Sequence, residues 1–114
     1  MTIYQRLKKI LDPLKVGLSY ATFPSRDVKL PYAIYMGGGA ENAKADNRVY
    51  FTAEAVRLEY YYKQKDEMKE KTLEKGFGDG GYIWEKSSDV YLADEGIFMI
   101  YYDLFFTESE VENA

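Results

Sequence analysis

The sequence predicts an α+β domain in which two helices pack on one face of an antiparallel sheet of four to five strands. Three observations support this class. Residues 48–63 form a long run of β-forming side chains, residues 97–106 are apolar at nearly every position, and two other segments have helical periodicity. A strand as long as residues 48–63 is more than twice the usual length, so we expect the rest of the sheet to be built around it.

Composition excludes several classes of function. The 114 residues include 12 Tyr, 6 Phe and 1 Trp but no Cys and no His, and the formal net charge is −4. Disulfides, zinc sites built from Cys or His, thiol nucleophiles and imidazole chemistry are therefore excluded. No segment approaches the ~20 apolar residues of a membrane span, and the negative charge disfavours nucleic acid as the main partner. We expect one domain over residues 1–106 and a short acidic tail over 107–114.

The first segment, residues 2–14, predicts a helix. Thr2 and Gln5 have the spacing of a capping box, and Pro13 limits the helix to about Asp12. The apolar positions recur at helical spacing: Ile3, Leu7, Ile10, Leu11 and Leu14. This stripe is typical of a helix that covers a sheet face.

Two short strands and a glycine-rich connection follow. Residues 16–22 alternate until Pro24, and residues 30–36 form a second strand with Pro31 at its start. Residues 37–47 (GGGAENAKADN) lack both the Lys-Ser/Thr pair of a phosphate loop and the spacing of a dinucleotide fingerprint. At eleven residues the segment exceeds a usual hairpin loop, which favours a mobile connection that carries binding function.

The central strand changes phase along its length. Apolar side chains occupy odd positions up to Ala53 and even positions from Val56, which predicts a bulge near residues 53–55. Residues 66–75 then read as a charged helix with Asp66 as N-cap, a thin apolar face that includes Met68 and Leu73, and Gly76 in the left-handed conformation after its end.

The remaining strands are expected at residues 82–86, briefly at 90–93, and at 97–106. The last of these is apolar on both faces, so both faces must be covered. Two helices can cover one face. The second face then needs a loop or a neighbouring subunit.

The excess of tyrosine leaves two interpretations open. Some rings lie in a contact with another molecule, or they line the solvent face of the sheet, where β-propensity favours them. An enzyme would have to use carboxylates, lysine or tyrosine. The candidate carboxylate pairs are Glu54 with Glu59, Asp66 with Glu67, and Asp94 with Glu95. Their spacing demands no mechanism and matches no calcium loop, so we expect no enzyme activity, no metal and no cofactor.

Four segments in order carry a resemblance to a known family. They begin at Leu30 (LPYAIY), Lys44 (KADNRVY), Val56 (VRLEYYYKQKD) and Gly96 (GIFMIYYD). This ordered set resembles the small tail-completion proteins of long-tailed phages and prophages, a group that looks related to the tail terminators. The match covers roughly residues 7–106.

The resemblance implies a structural role in virion assembly. It implies a hexameric ring at the head-proximal end of a phage tail, and some members of the group are monomeric until they meet the tail. There the ring would meet the major tail protein and the head-completion or connector protein, with DNA only passing through it. It implies assembly in the host cytoplasm and location in the virion tail, with no small-molecule substrate and no membrane. The family offers no catalytic residues to transfer.

The expected oligomer or tail-tube contacts rest on this chain's own loops and aromatics. They are Gly37, Gly38, Gly39, Glu41, Asn42, Lys44, Asp46, Asn47, Tyr61, Trp84, Tyr101 and Phe105. The alternative function is a small monomeric regulatory or anti-defence binding protein of phage origin, which would have a similar composition. A carboxylate enzyme is the third class considered.

Overall fold

Two α-helices, one 3-10 turn and six β-strands form the part of the chain that the computed structural model describes, residues 2–37 and 53–107. In chain order they are α1 (Ile3–Leu11), the 3-10 turn (Asp12–Leu14), β1 (Gly17–Tyr20), β2 (Tyr32–Gly37), β3 (Ala53–Tyr62), α2 (Glu67–Asp79), β4 (Ile83–Lys86), β5 (Val90–Leu92) and β6 (Ile97–Thr107). The α+β class predicted from the sequence is confirmed.

The sheet departs from the prediction in two respects. Within residues 2–37 and 53–107 it has six strands rather than four to five, because the segment after Asp89 pairs with β6 as a short strand of its own. Its first pair, β1 with β2, is parallel, whereas the other pairs are antiparallel. The strand order is β1-β2-β3-β6-β4, and β5 pairs with β6 off this path.

β3 and β6 form the centre of the sheet in one continuous register. Pairing runs without interruption from Ala53 opposite Thr107 to Tyr62 opposite Phe98. The bulge expected near residues 53–55 is therefore absent from Ala53 onward, and the stretch before Ala53 lies outside the described residues. The shift of apolar side chains from odd to even positions needs no inserted residue, because both faces of the sheet carry apolar side chains. Ala55, for example, lies on the same face as Phe105, directly opposite it.

One face of the sheet, called here the core face, joins both helices in a single buried cluster. Its buried members are Leu18, Ala33, Val56, Leu58, Tyr60, Tyr62, Ile100, Tyr102 and Leu104. Leu7 and Leu11 of α1 and Leu73 and Phe77 of α2 belong to the same cluster and are fully buried. The apolar stripe predicted for α1 thus supplies part of this core.

The start of α1 follows the prediction. The Thr2 hydroxyl accepts a hydrogen bond from the Gln5 amide at 3.1 Å, and the Gln5 side chain accepts one from the Thr2 amide at 2.9 Å. This is the complete capping box. The α-helix ends at Leu11, and Pro13 lies in the 3-10 turn that follows.

The end of α2 differs from the prediction. Asp66 caps the helix by accepting from the Lys69 amide, as expected, but the helix continues through Gly76 to Asp79. A Cβ on Gly76 would lie 2.7 Å from Cγ2 of Ile10, so this glycine permits close approach of α1 rather than ending α2. Met68, expected on the apolar face, is 73% exposed.

Candidate functional site

The opposite face of the sheet, called here the outer face, lacks a helical cover within the described residues. It consists of the alternate positions Ile34, Met36, Ala55, Arg57, Glu59, Tyr61, Ile83, Glu85, Met99, Tyr101, Asp103 and Phe105. None of these side chains belongs to the buried cluster that α1 and α2 join. Within the described chain, the sheet is therefore covered very differently on its two sides.

A loop covers one end of the outer face. The ring of Phe23, in the connection between β1 and β2, lies 5.7 Å from the ring of Tyr32 and 4.8 Å from that of Tyr61, measured between centroids. Ile34 is only 3% exposed. The sequence-based expectation that a loop or a neighbour must cover this face is thus met in part by the chain itself.

Tyr61 and Glu59 form a polar contact beside this loop. The Tyr61 hydroxyl donates to Oε1 of Glu59 at 2.8 Å. Burial, reinforced by that carboxylate, raises the pKa of Tyr61, so its hydroxyl stays protonated and acts as a donor. Glu59, one of the candidate catalytic carboxylates, is therefore engaged with its neighbour on the same strand.

An ion pair occupies the middle of the outer face. Arg57 on β3 donates from Nε to Oδ1 of Asp103 at 2.8 Å and from Nη2 to Oδ2 at 3.1 Å. The two residues therefore form a bidentate ion pair. The guanidinium carbon also lies 4.0 Å from the centroid of the Tyr101 ring. The hydrogen bonds to Asp103 raise the pKa of Arg57 further. The guanidinium group is therefore held over an aromatic ring at cation–π distance.

The other end of the outer face, called here the open end, consists of Met36, Ile83 and Phe105. Ile83 is 53% exposed and lies opposite Phe105 in the β4–β6 register. Met36 and Phe105 are half-buried. No described side chain buries these three residues as Phe23 buries the first end, so apolar surface remains accessible.

The structure separates the residues predicted to form an interface. Tyr61, Tyr101 and Phe105 share the outer face. Trp84 lies on the core face, half-buried, with its ring 6.0 Å from that of Tyr102 in an edge-on arrangement. Gly37 is the exposed last residue of β2. The other predicted contacts, Gly38, Gly39, Glu41, Asn42, Lys44, Asp46 and Asn47, lie outside the described residues.

A charged cluster on the core side was not predicted. Glu70 of α2 is 2% exposed, and its Oε1 accepts from Nζ of Lys65 and from Nζ of Lys86, each at 2.9 Å. Lys86 also pairs with Glu74 at 2.8 Å, and the Tyr102 hydroxyl donates to Oε2 of Glu74 at 2.8 Å. A sequence pattern could have predicted this cluster. The residues that recur at helical spacing on one side of α2 are Glu70, Leu73, Glu74 and Phe77.

The protonation of this cluster suits a structural clamp. Burial opposes the charge on Lys65 and Lys86, yet their hydrogen bonds to the glutamates raise both pKa values above the ordinary range. A lysine held as ammonium is a poor nucleophile or base. The hydrogen bond from Lys65 lowers the pKa of Asp89, which extends the clamp to the start of β5.

The remaining carboxylate candidates with described side chains do not converge, and the side chain of Glu54 lies outside the described part. Asp66 serves as the cap of α2, and Asp94 and Glu95 lie in the exposed turn between β5 and β6. Across residues 2–37 and 53–107, no three or more Asp, Glu, His or Cys side chains group in a way that could hold a metal ion. Of the helices in that same part of the chain, neither has the length and apolarity to cross a membrane.

Fold and site together define an α+β domain whose sheet, as far as residues 2–37 and 53–107 show it, is covered on one face by helices and over one end of the other face by a loop. None of the protein-family models, curated protein sequences and solved structures compared with this chain matches it.

Proposed function

We propose that this chain is a structural assembly subunit that uses its outer face to contact a second copy of itself. The observation that carries the proposal is the open end, where Ile83, Met36 and Phe105 leave apolar surface accessible beside the Arg57–Asp103 pair. Burial of exposed apolar side chains such as Ile83 against a second surface is favourable, because it removes apolar area from water.

The chemistry of the outer face suits a protein partner. Aromatic residues, methionine and arginine are enriched in the cores of protein interfaces. The outer face contains all three types, in Tyr101, Met36 and Arg57. Arg57 is already oriented by Asp103 and Tyr101, so little side-chain freedom would be lost when a partner covers it.

The sheet edges suit strand addition less well than the face suits docking. The edge strands β1 and β4 have four residues each and β5 has three, and β4 carries Glu85 and Lys86. Short, charged edges are a common device against edge-to-edge pairing. A contact through the outer face is therefore the better route to an oligomer.

The particular role that we propose is that of a tail-completion or tail-terminator subunit. Its support is the ordered set of four sequence segments that resembles that group, together with the α+β class. In this role six copies would form a ring at the head-proximal end of a phage tail, between the major tail protein and the connector. A ring needs a heterologous contact, in which the outer face of one copy meets a different surface of the next.

One pair of variants tests the face. Ile83→Asp places a charge at the open end, where the replaced side chain is 53% exposed, and Met68→Asp places the same charge on an apolar residue of α2 that is 73% exposed. We expect the unchanged chain and Met68→Asp to assemble when concentrated or when mixed with tail tubes that lack a terminator, as seen by light scattering and electron microscopy. Ile83→Asp should stay monomeric while its melting temperature remains close to that of Met68→Asp.

Two outcomes would overturn the proposal. Equal assembly by both variants would remove the outer face from the contact. A chain that stays monomeric at high concentration and does not bind tail tubes would favour the monomeric regulatory protein instead.

A further inference from the structure

A pocket lies at the covered end of the outer face, where two connections of the chain come together. It has a volume of about 550 Å³, and binding pockets typically have volumes of about 300–1,000 Å³. Its lining residues belong to the connection between β1 and β2 and to the chain around the start of β6, and they include Phe23, Arg26, Val28, Leu30, Glu95 and Ile97. We call it the loop pocket.

The loop pocket combines apolar side chains with a single cation. Contacts of the Phe23 ring with the rings of Tyr32 and Tyr61 hold one of its walls against the sheet. Arg26 is the one cation among the lining residues; it is exposed, and no described residue forms an ion pair with it. The half-buried apolar lining residues are Phe23, Val28, Leu30 and Ile97.

The open end of the same face has the complementary chemistry. Ile83 is 53% exposed, and Glu85 lies two residues further along β4, on the same face, and is also exposed. Asp103, opposite Glu85 in the register, is already paired with Arg57. No described residue forms an ion pair with Glu85. In the described part of the chain, an apolar side chain and a carboxylate available for pairing are therefore accessible side by side.

The loop pocket and the open end are far apart on one molecule. Ile97 begins β6 on the outer face, and Phe105 of the open end lies eight positions later on the same strand. At a rise of about 3.3 Å per residue, these two positions are about 26 Å apart. A contact between unlike ends of two copies leaves one pocket and one open end free, so further copies can join until a ring closes.

We infer that the loop pocket of one copy receives the open end of the next, with Ile83 against the apolar lining and Glu85 paired with Arg26. The inference rests on the proposed assembly through the outer face and names the surface that the open end meets. Burial of Ile83 removes apolar area from water, and the pair of opposite charges fixes the orientation of the two copies.

A contact between two identical open ends is the alternative arrangement. It would also bury Ile83, but it would bring the Glu85 carboxylates of the two copies close together, which like charge disfavours. Assembly through that contact would need the open end and would not need the loop pocket.

Exchange of charge across the contact tests the inference. Arg26→Glu and Glu85→Arg each place like charges in the contact, and each variant alone should assemble at least about tenfold less well than the unchanged chain, as measured by light scattering at equal concentration. An equal mixture of the two variants should assemble again, because each variant then meets a partner of opposite charge at both of its surfaces.

Two further variants supply the controls. Lys29→Glu reverses the charge of an exposed lysine in the same connection that does not line the pocket, and it should assemble like the unchanged chain. Glu95→Gln removes the carboxylate of the pocket and should not weaken assembly, because Glu85 pairs with Arg26. Melting temperatures close to that of the unchanged chain show that each variant is folded.

Two results would overturn the inference and leave the assembly proposal in place. The first is an Arg26→Glu variant that assembles as well as Lys29→Glu while Ile83→Asp does not assemble. The second is a mixture of the charge variants that assembles no better than either component. Failure of the unchanged chain to assemble would instead overturn the assembly proposal, and this inference with it.

Discussion

The charged side chains on the two sides of the sheet differ in how deeply they are buried. On the core side, Glu70 is almost fully buried and is held by two lysines from outside the helix. On the outer face, Arg57 and Asp103 pair across neighbouring strands while both remain partly exposed. A buried charge needs its partners for the fold itself, whereas a half-exposed pair adds little to stability and remains available to a partner molecule.

The largest expected effect is loss of stability at alkaline pH, because several buried tyrosines, among them Tyr60, Tyr62 and Tyr102, contribute to it together. Burial raises the pKa values of Tyr60 and Tyr62 to about 12. Both folded-state values are above the unfolded one, so the folded state retains more protons, and stability that is complete below pH ~10 is lost as the pH rises. The loss by pH 12 should reach about 2 kcal/mol for each tyrosine.

Urea titrations at a series of pH values measure this loss. Tyr60→Phe should flatten the dependence of the free energy of unfolding on pH. Tyr20→Phe alters a ring that is 63% exposed and should leave the dependence unchanged. Identical slopes for both variants would contradict the assignment to the buried rings.

The next effect compares one apolar truncation on each face. Leu58→Ala on the core face removes a fully buried side chain and should cost about 2–5 kcal/mol. Ile83→Ala on the outer face should cost about 1 kcal/mol or less, because the side chain is largely accessible already. Chemical denaturation of the two variants gives the comparison, and equal costs would show that the outer face is buried in the isolated chain.

Removal of the buried charge of Glu70 should lower the free energy of unfolding by less than truncation of Leu58. Glu70→Gln weakens the hydrogen bonds of two lysines to a buried charge and should cost about 1.5–3 kcal/mol. Met68→Gln, on the exposed side of the same helix, is the control and should cost little. A Glu70→Gln variant as stable as that control would mean that the cluster does not clamp α2 to β4.

The smallest expected effect belongs to the outer pair. Asp103→Asn should cost about 1 kcal/mol or less, because Arg57 keeps its contact with the Tyr101 ring and with solvent. The same substitution should weaken assembly far more than folding. Thermal unfolding and light scattering on one sample separate the two, and a loss of stability as large as that of Glu70→Gln would remove the distinction between the faces.

Local sequence rules predicted the elements that depend on neighbouring residues. The Thr2–Gln5 capping box, the Asp66 cap and the two-sided apolar pattern of β6 all follow from short-range spacing. The long strand was also recognised, within the part described as β3. These features involve side chains within one turn or one strand, so no tertiary information is needed to find them.

The features that the sequence did not predict depend on contacts between residues that are distant in sequence. Gly76 looked like a helix terminator because its role, contact with Ile10, depends on a helix more than sixty residues earlier. The ion pair of Asp103 was not predicted, because its partner Arg57 lies on another strand. The parallel pairing of β1 with β2 was also not predicted, because it depends on the path of the connection that carries Phe23, which composition alone does not reveal.

For the candidate site, sequence reasoning recovered the aromatic members but not the arrangement. Tyr61, Tyr101 and Phe105 follow from the alternation of β3 and β6, and all three lie on the outer face. Trp84 was grouped with them because it is a large aromatic residue. Its register opposite Leu104 places it on the other side of the sheet.

The pairing of β3 with β6 has a kinetic consequence. Every pair in this register joins residues that lie between roughly 35 and 55 positions apart along the chain. The middle of the sheet can form only after that whole intervening segment, including α2, has been brought round, so refolding should be slow for a protein of this size. A newly made chain would display its hydrophobic strands unpaired during that interval, and early capture by a neighbouring copy would then compete with completion of its own fold.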